Sequence, residues 1–213
     1  MRVISGSARG RALKAVPGMG TRPTTDKVKE AIFSMIGPYF EGGNVLDLFA
    51  GTGGLGIEAL SRGMDKGVFI DMDVKAVETV KANLKQTGLS GQAEVYKNDA
   101  ERALKALAKR GIQFDLVFLD PPYRLKHGDE LIGRMDELAL LSDEAVVVLE
   151  YESSYEYPER IPGFVFTKKA VYGETAVSIY RRGIDAAEPA EHADIHTETA
   201  SDDDEPIRGE ETL

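Results

Sequence analysis

The stretch VLDLFAGTGGLG, residues 45–56, decides the fold because an apolar run leads directly into a glycine-rich turn. Asp47 is the one charged residue in that run, which is otherwise typical of a strand buried on both faces of a sheet. Gly51, Gly53 and Gly56 satisfy the G-x-G-x-x-G spacing, and glycines at these positions let backbone N–H groups approach a bound ligand closely. The stretch therefore predicts a strand, a ligand-binding turn and the start of a helix.

The chain after this turn alternates between strand and helix patterns, and apolar residues between the strands recur at helical spacing. Further strands are predicted at residues 67–71, 93–97, 114–120 and 145–151. Two later apolar runs, 164–166 and 176–180, flank Tyr172-Gly173-Glu174 and predict an antiparallel pair that closes the sheet. The alternation predicts an α/β fold, a doubly wound and mainly parallel sheet that binds ligands beyond the carboxyl ends of its strands.

An amphipathic helix is predicted ahead of this core, with apolar residues from Val28 to Ile36. Thr24 or Thr25 is expected to cap it, and Gly37-Pro38 to end it. The first 20 residues predict a small hairpin. We therefore divide the chain into an N-terminal extension with its helix (1–40), a core (41–183) and a tail (184–213).

The net charge of −10 comes from the tail, where 11 acidic residues accompany one arginine. The tail has almost no large apolar residues, so we expect it to be disordered. The first 36 residues carry seven basic and two acidic side chains. This basic patch indicates a polyanionic partner such as a phosphate backbone, although a solvated charged surface has the same composition.

The chain has no cysteine, and its three histidines are scattered. Disulfides and thiolate nucleophiles are therefore excluded, and we expect no metal site. No apolar run approaches the roughly 20 residues of a membrane span, and the start MRVISGSARGR lacks the apolar segment of a secretory signal. We expect a cytoplasmic monomer that does not contact membranes.

Three acidic positions indicate the cofactor class. Asp71 ends the next strand 20 residues after Gly51, where a carboxylate accepts ribose hydroxyls, so a dinucleotide and an adenosine cofactor both remain open there. Asp47, buried within its strand, needs a partner such as the ammonium of S-adenosylmethionine, whereas a pyrophosphate would be repelled. Asn98-Asp99 follows the third strand and places an acceptor near an adenine amine, with helix capping or turn formation as the alternative role of Asp99.

The turn Asp120-Pro121-Pro122-Tyr123 follows the apolar strand at 114–120. The prolines restrict the backbone, so the Asp120 carboxylate and the Pro121 carbonyl can be aimed as acceptors, and Tyr123 offers a flat face for a base. Such acceptors orient an aromatic amine and stabilise the positive charge that develops when it is alkylated. A rigid turn without a catalytic role is the alternative interpretation.

Residues 45–53 resemble the signature loop of Class I S-adenosylmethionine-dependent methyltransferases. The D-P-P-Y turn resembles the motif of amino-methyltransferases that act on adenine N6, cytosine N4, guanine N2 or a protein glutamine. Further segments resemble the D-type family of bacterial small-subunit (16S) ribosomal RNA guanine-N2 methyltransferases. These are Arg2-Val3-Ile4-Ser5-Gly6, Gly10-Arg11, the run from Arg22-Pro23-Thr24 to Phe33, and Tyr172-Gly173-Glu174-Thr175.

This resemblance runs from about Arg2 to Arg181 and implies a Rossmann-like core of seven strands, S-adenosylmethionine as methyl donor, and methylation of one guanine in 16S rRNA or a small-subunit assembly particle. The acidic tail has no recognised counterpart. The implied catalytic residues are Asp120, Pro121, Pro122 and Tyr123. The implied cofactor residues are Asp47, Phe49, Gly51, Thr52, Gly53, Asp71, Met72, Asn98, Asp99, Ala100 and Asp120. The implied RNA contacts are Arg9, Arg11, Arg22 and Lys29, and Thr25, Asp26 and Lys29 are expected near the cofactor or target pocket.

Several alternatives remain open on the residues alone. Protein-glutamine methyltransferases have an N-P-P-Y motif that follows a sizeable helical domain. DNA or RNA adenine methyltransferases share the D-P-P-Y motif. A non-catalytic adenosine- or RNA-binding module would keep the glycine turn and the basic patch without needing Asp120 or Tyr123. A nicotinamide dehydrogenase leaves Asp47 and the D-P-P-Y turn unexplained.

Overall fold

The computed structural model of the chain describes residues 1–18, 25–121 and 127–183. Several predicted features lie outside these residues: the acidic tail at 184–213, the possible cap Thr24, the RNA contact Arg22, and the catalytic pair Pro122 and Tyr123.

The described residues form one mixed sheet of eight strands between helices. The strands are β1 (Asn44–Asp47), β2 (Lys66–Asp71), β3 (Ala93–Lys97), β4 (Phe114–Leu119), β5 (Leu141–Glu152), β6 (Arg160–Ile161), β7 (Phe164–Tyr172) and β8 (Thr175–Arg182). The helices are α1 (Asp26–Ile36), α2 (Gly54–Ser61), α3 (Val74–Thr87), α4 (Ala100–Ala108) and α5 (Gly128–Glu137).

The strand order is β3-β2-β1-β4-β5-β8-β7-β6. The first five strands in this order are parallel, and β5, β8 and β7 pair antiparallel, which confirms the doubly wound sheet and the closing pair around Gly173. The sheet has one strand more than the seven expected. The additional strand is β6, which pairs with β7 and is only two residues long, too short to show an alternating pattern in the sequence.

Apolar side chains fill two layers, one on each face of the sheet. The first core layer lies under α1, α2 and α3 and includes Ile32, Phe33, Ile57, Val80 and Leu84. The second core layer lies under α4 and α5 and includes Leu104, Leu107, Ile132 and Met135. Successive strand residues alternate between these layers, which is why the parallel strands are apolar almost throughout.

Helix α1 begins and ends as predicted. The Thr25 side chain accepts the Val28 N–H at 3.3 Å, so Thr25 is the N-cap. Gly37 follows the last helical residue with a φ of 126°, a backbone conformation that favours glycine.

The N-terminal segment forms less of a hairpin than predicted. Its antiparallel pairing is one isolated bridge between Arg2 and Ala12, with the Val3 N–H donating to the Arg11 carbonyl at 2.9 Å. The next donors turn toward α2 instead: the N–H groups of Ile4 and Ser5 donate to the Glu58 carboxylate at 2.8 and 2.9 Å. Because side-chain acceptors on α2 satisfy these groups, a longer ladder does not form.

Gly6 lets this segment lie directly against the end of α2. Its φ is +82°, and a Cβ atom at this position would lie 1.7 Å from the backbone oxygen of Ser61. Gly10 has nearly the same φ, +81°, but an added Cβ there would meet no heavy atom within 4 Å. The two glycines therefore share a backbone requirement and differ in the space around them.

We expect Gly6→Ala to lower the free energy of unfolding by about 3–5 kcal/mol, because the methyl group must displace backbone as well as adopt a strained φ. Gly10→Ala is the matched control and should cost only about 1–2 kcal/mol, from the φ alone. Urea unfolding of both variants measures the difference. Equal losses would show that the Gly6 contact with Ser61 contributes nothing.

Candidate active site

Four acidic residues lie at the carboxyl edge of the parallel strands: Asp47, Asp71, Asp120 and Glu150. Asp47 and Asp71 end β1 and β2, Asp120 follows β4, and Glu150 lies on β5. Residues two positions earlier, namely Val45, Phe69, Phe118 and Val148, belong to the first core layer. Strand alternation therefore places all four carboxyl groups on that same face. Asp47, Asp71 and Asp120 were predicted from the sequence, whereas Glu150 was not.

Asp47 carries a buried carboxyl group with little compensation. It is only 4 % exposed, and its Oδ2 accepts the Gly56 N–H at 3.1 Å. The pKa of Asp47 is raised to about 7, chiefly by burial; the hydrogen bond from the Gly56 N–H opposes this rise, and the nearby Asp71 charge contributes to it. A cation beside this carboxyl group would favour its ionised form.

Asp120 is partly buried at the end of β4, and the following Pro121 is buried. Burial is the largest cause that raises the pKa of Asp120 well above its usual range. The charge of Glu150 is the second cause and that of Asp47 the third. The site therefore gathers acidic groups that repel one another in the free protein, as is typical of sites that bind positively charged groups.

The glycine turn after β1 leaves space next to these carboxyl groups. Gly51 has a φ of +53°, its N–H donates to Asp71 Oδ2 at 2.8 Å, and an added Cβ would meet only the Phe49 carbonyl oxygen, at 4.0 Å. Gly53, with a φ of +74°, is the N-cap of α2. The turn therefore presents open backbone at a helix N-terminus, where anions and polar ligands are stabilised.

A buried amide that the sequence analysis missed holds this turn in place. Asn83 on α3 is fully buried, and its Nδ2 donates to the carbonyls of Thr52 at 2.9 Å and Lys14 at 3.1 Å. Its Oδ1 accepts the Lys14 N–H at 2.7 Å. The N-terminal segment and the glycine turn are thus joined through one side chain.

The remaining predicted cofactor residues surround the ends of β2 and β3. Asp71 Oδ1 accepts the Asp73 N–H at 2.9 Å, and Met72 beside it is 65 % exposed. Asp99 caps α4, whose first residue is Ala100, by accepting the Arg102 N–H at 3.2 Å, which is the alternative role considered for it. The Asn98 side chain accepts the Asp99 N–H at 2.9 Å.

Phe49 packs in part against the second core layer. The structure therefore brings the predicted cofactor residues to one edge of the sheet, while contacts of Asp71 and Asp99 with a ribose or an adenine stay predictions.

The prediction that Lys29 contacts RNA is wrong. Lys29 is 0 % exposed, and its Nζ donates to Glu58 at 3.1 Å and to the Arg2 carbonyl at 2.5 Å. The spacing of Lys29 to Ile32, Phe33 and Ile36 already places it on the apolar face of α1, and this signal was overlooked within a basic run.

Arg9 and Arg11 are exposed, as a contact with phosphates requires. The Arg11 guanidinium donates to the Gln86 carbonyl of α3 at 3.1 Å, so it lies over that helix. Arg22 lies outside the described residues.

Within the described ranges, no group of three or more His, Cys, Asp or Glu side chains is placed to hold a metal ion. Among the same residues, no helix has the length and apolar composition needed to cross a membrane.

Comparisons with known proteins connect this arrangement to a family. Residues 1–181 match the family model described as conserved hypothetical protein 95. The Bacillus subtilis protein YlbH, provisionally named an rRNA methyltransferase, is 56% identical over 85% of this chain and 99% of its own. Ribosomal RNA small subunit methyltransferase D of Escherichia coli is 35% identical over 85% and 90% of the two chains. A solved Escherichia coli structure, provisionally named methyltransferase yhhF, is 36% identical over 85% and 97%, with a TM-score of 0.72.

We expect Lys29→Met to lower the free energy of unfolding by about 3–5 kcal/mol, because it leaves the buried Glu58 carboxylate with one cationic partner fewer. Lys27→Met is the control, since Lys27 is exposed on the same helix and its loss should change stability by less than about 0.5 kcal/mol. Chemical unfolding compares the two. A stable Lys29→Met protein with weakened RNA binding would instead restore the surface role.

Proposed function

Since the chain belongs to the family of ribosomal RNA small subunit methyltransferase D and takes S-adenosylmethionine as its cofactor, we propose that it methylates the exocyclic N2 amine of a guanine in 16S ribosomal RNA. The observation that carries the proposal is the position of Asp120 and Pro121 at the end of β4, beside the buried carboxyl groups of the neighbouring strands. In this proposal the substrate is rRNA or a small-subunit assembly particle, and the protein acts as a cytoplasmic monomer.

The residues at the edge of the sheet fit this cofactor. Asp47 is a buried carboxyl group whose raised pKa marks a place for a positive charge, such as the cofactor's ammonium group. Gly51 leaves open space beside its backbone, and Asp71 keeps acceptor capacity for ribose hydroxyls. The bound cofactor supplies an activated methyl group on a positively charged sulfur.

Asp120 and the Pro121 carbonyl accept the N–H groups of the target amine. An aromatic amine is a poor nucleophile because its lone pair is delocalised into the ring, so fixing its N–H groups helps to turn the nitrogen toward the methyl group. The Asp120 carboxylate also stabilises the positive charge that develops on the nitrogen. The base leaves its stack to reach this site, and Tyr123 is proposed to stack on it.

The exposed Arg9 and Arg11 are proposed to contact RNA phosphates, together with Arg22. Buried Lys29 is removed from this set, and it instead positions the segment that carries Arg9 and Arg11. The catalytic edge is acidic and the N-terminal segment is basic. In this proposal the catalytic edge binds the cationic cofactor and the amine, and the N-terminal segment binds the polyanion.

We expect cofactor binding to release a proton from Asp47. The pKa of Asp47 is about 7 in the free protein, and a bound cation lowers it, so below pH 7 binding must ionise the carboxyl group. Affinity should therefore rise as the pH increases from 5.5 to 7, by up to about tenfold per unit. Calorimetry in two buffers of different ionisation enthalpy measures the proton release.

Asp47→Asn should abolish most of this pH dependence and weaken binding at pH 7.5, whereas Asp143→Asn, an exposed change on β5, should alter neither. An unchanged pH profile in Asp47→Asn would remove Asp47 from the role of cation partner.

The reaction itself is tested by methyl transfer from labelled S-adenosylmethionine to naked rRNA, small-subunit particles, DNA and a release factor, followed by nucleoside analysis. We expect N2-methylguanosine from rRNA in one or both RNA forms. Asp120→Ala should lower turnover by about 10²–10³-fold with cofactor affinity largely kept, because the lost acceptor acts on charge that develops in the transition state. A methyl group on adenine or glutamine, or full activity in Asp120→Ala, would refute the proposal.

A further inference from the structure

Glu150 is a buried acidic residue that the reaction described above does not use. It lies on β5 within the run AVVVLEYE, its neighbours Leu149 and Tyr151 belong to the second core layer, and only 8 % of it is exposed. Titratable side chains in a cleft beside a reactive group are candidates for contacts with the ligand. Glu150 lies at the same edge of the sheet as Asp120.

The sheet register brings Glu150 next to Asp120. On the parallel strands β4 and β5, Phe118 pairs with Val148 and Leu119 with Leu149, so the next position along both strands places Asp120 opposite Glu150. Adjacent strands lie about 4.8 Å apart, and alternation directs both side chains to the face of Phe118 and Val148. The Glu150 charge also raises the pKa of Asp120, second only to burial, as expected for close neighbours.

Two adjacent carboxylates match a ligand edge with two adjacent donors. Guanine has such an edge, because its N1–H stands next to its N2 amine. Adenine does not, because its N1 is an unprotonated acceptor beside the N6 amine. Enzymes that act on an extruded base read it through hydrogen bonds to this edge.

We propose that Glu150 accepts the N1–H of the target guanine while Asp120 accepts the N2 amine, so that Glu150 is the residue that selects guanine. The inference rests on the proposed function and adds to it the basis of base choice. For adenine, the N1 lone pair would face the Glu150 carboxylate, so repulsion disfavours adenine in addition to the hydrogen bond that favours guanine.

The test replaces the target guanine by 2-aminopurine, which keeps the N2 amine but has an acceptor at N1 in place of the N1–H. The methylated position is first mapped in small-subunit particles, and particles are then reconstituted with 16S RNA carrying guanine or 2-aminopurine at that position. We expect the unaltered protein to prefer guanine by about 10²–10⁴-fold in kcat/KM.

Glu150→Gln should reduce that preference to less than about tenfold, because a side-chain amide can donate to N1 of 2-aminopurine as well as accept from N1–H of guanine. Glu152→Gln is the matched control: it removes an exposed carboxylate two residues along the same strand and should leave the preference unchanged. Cofactor affinity and thermal unfolding are measured for each variant, so that a folding defect is recognised.

Two results would overturn the inference. One is equal loss of transfer to guanine and 2-aminopurine in Glu150→Gln. The other is that the unaltered protein shows no preference for guanine over 2-aminopurine. This second result does not depend on whether any variant folds. Failure of the proposed function itself is distinct, because the unaltered protein would then transfer no methyl group to guanine in any particle.

Discussion

The buried carboxylate of Glu58 joins the three parts on which the rest of the structure depends: the N-terminal segment, α1 and α2. It is fully buried and, among the described residues, accepts the N–H groups of Ile4 and Ser5, the Lys29 ammonium and the Arg62 guanidinium, all within 3.1 Å. Arg62 in turn donates to the Pro38 carbonyl and lies 4.6 Å from the Phe33 ring centre. Removing one partner of such a network leaves an uncompensated buried charge, so its members depend on one another. The path of the basic segment is therefore set by the interior of the protein.

This constraint extends to the candidate active site. The segment held by Glu58 continues to Lys14, where Asn83 joins it to the Thr52 carbonyl of the glycine turn. The same turn donates from Gly51 to Asp71 and from Gly56 to Asp47. The surface proposed to hold RNA and the turn proposed to hold the cofactor are thus linked by hydrogen bonds from buried side chains. Such links help to fix the position of one site relative to the other, and methyl transfer requires close alignment of donor and acceptor.

The electrostatics of the site follow from where the strands end. Parallel strands place Asp47, Asp71, Asp120 and Glu150 along one edge, and burial makes the negative charges of Asp47 and Asp120 costly in the free protein. A cationic cofactor and, in the proposed reaction, an amine that becomes positive during transfer relieve this repulsion. A polyanion would not, and accordingly the exposed arginines Arg9 and Arg11 belong to the N-terminal segment. In the proposed function, the molecule therefore separates the surface that binds cations from the surface that binds the polyanion.

The sequence by itself determined the fold class, the strand that leads into the glycine turn, and the position of Asp47, Asp71 and Asp120 at the carboxyl ends of their strands. These follow from local periodicity and from the rule that ligands bind at the carboxyl ends of parallel strands. Helical spacing already placed Lys29 on the apolar face of α1, but only the tertiary structure decided that Glu58 is its partner and that Glu58, Asn83 and Glu150 are buried. Burial of a polar side chain depends on which distant segments pack around it, and Lys29 and Glu58 are 29 residues apart in the chain. Local patterns do not identify such partners, because the residue type is the same whether water or another side chain surrounds the charged group.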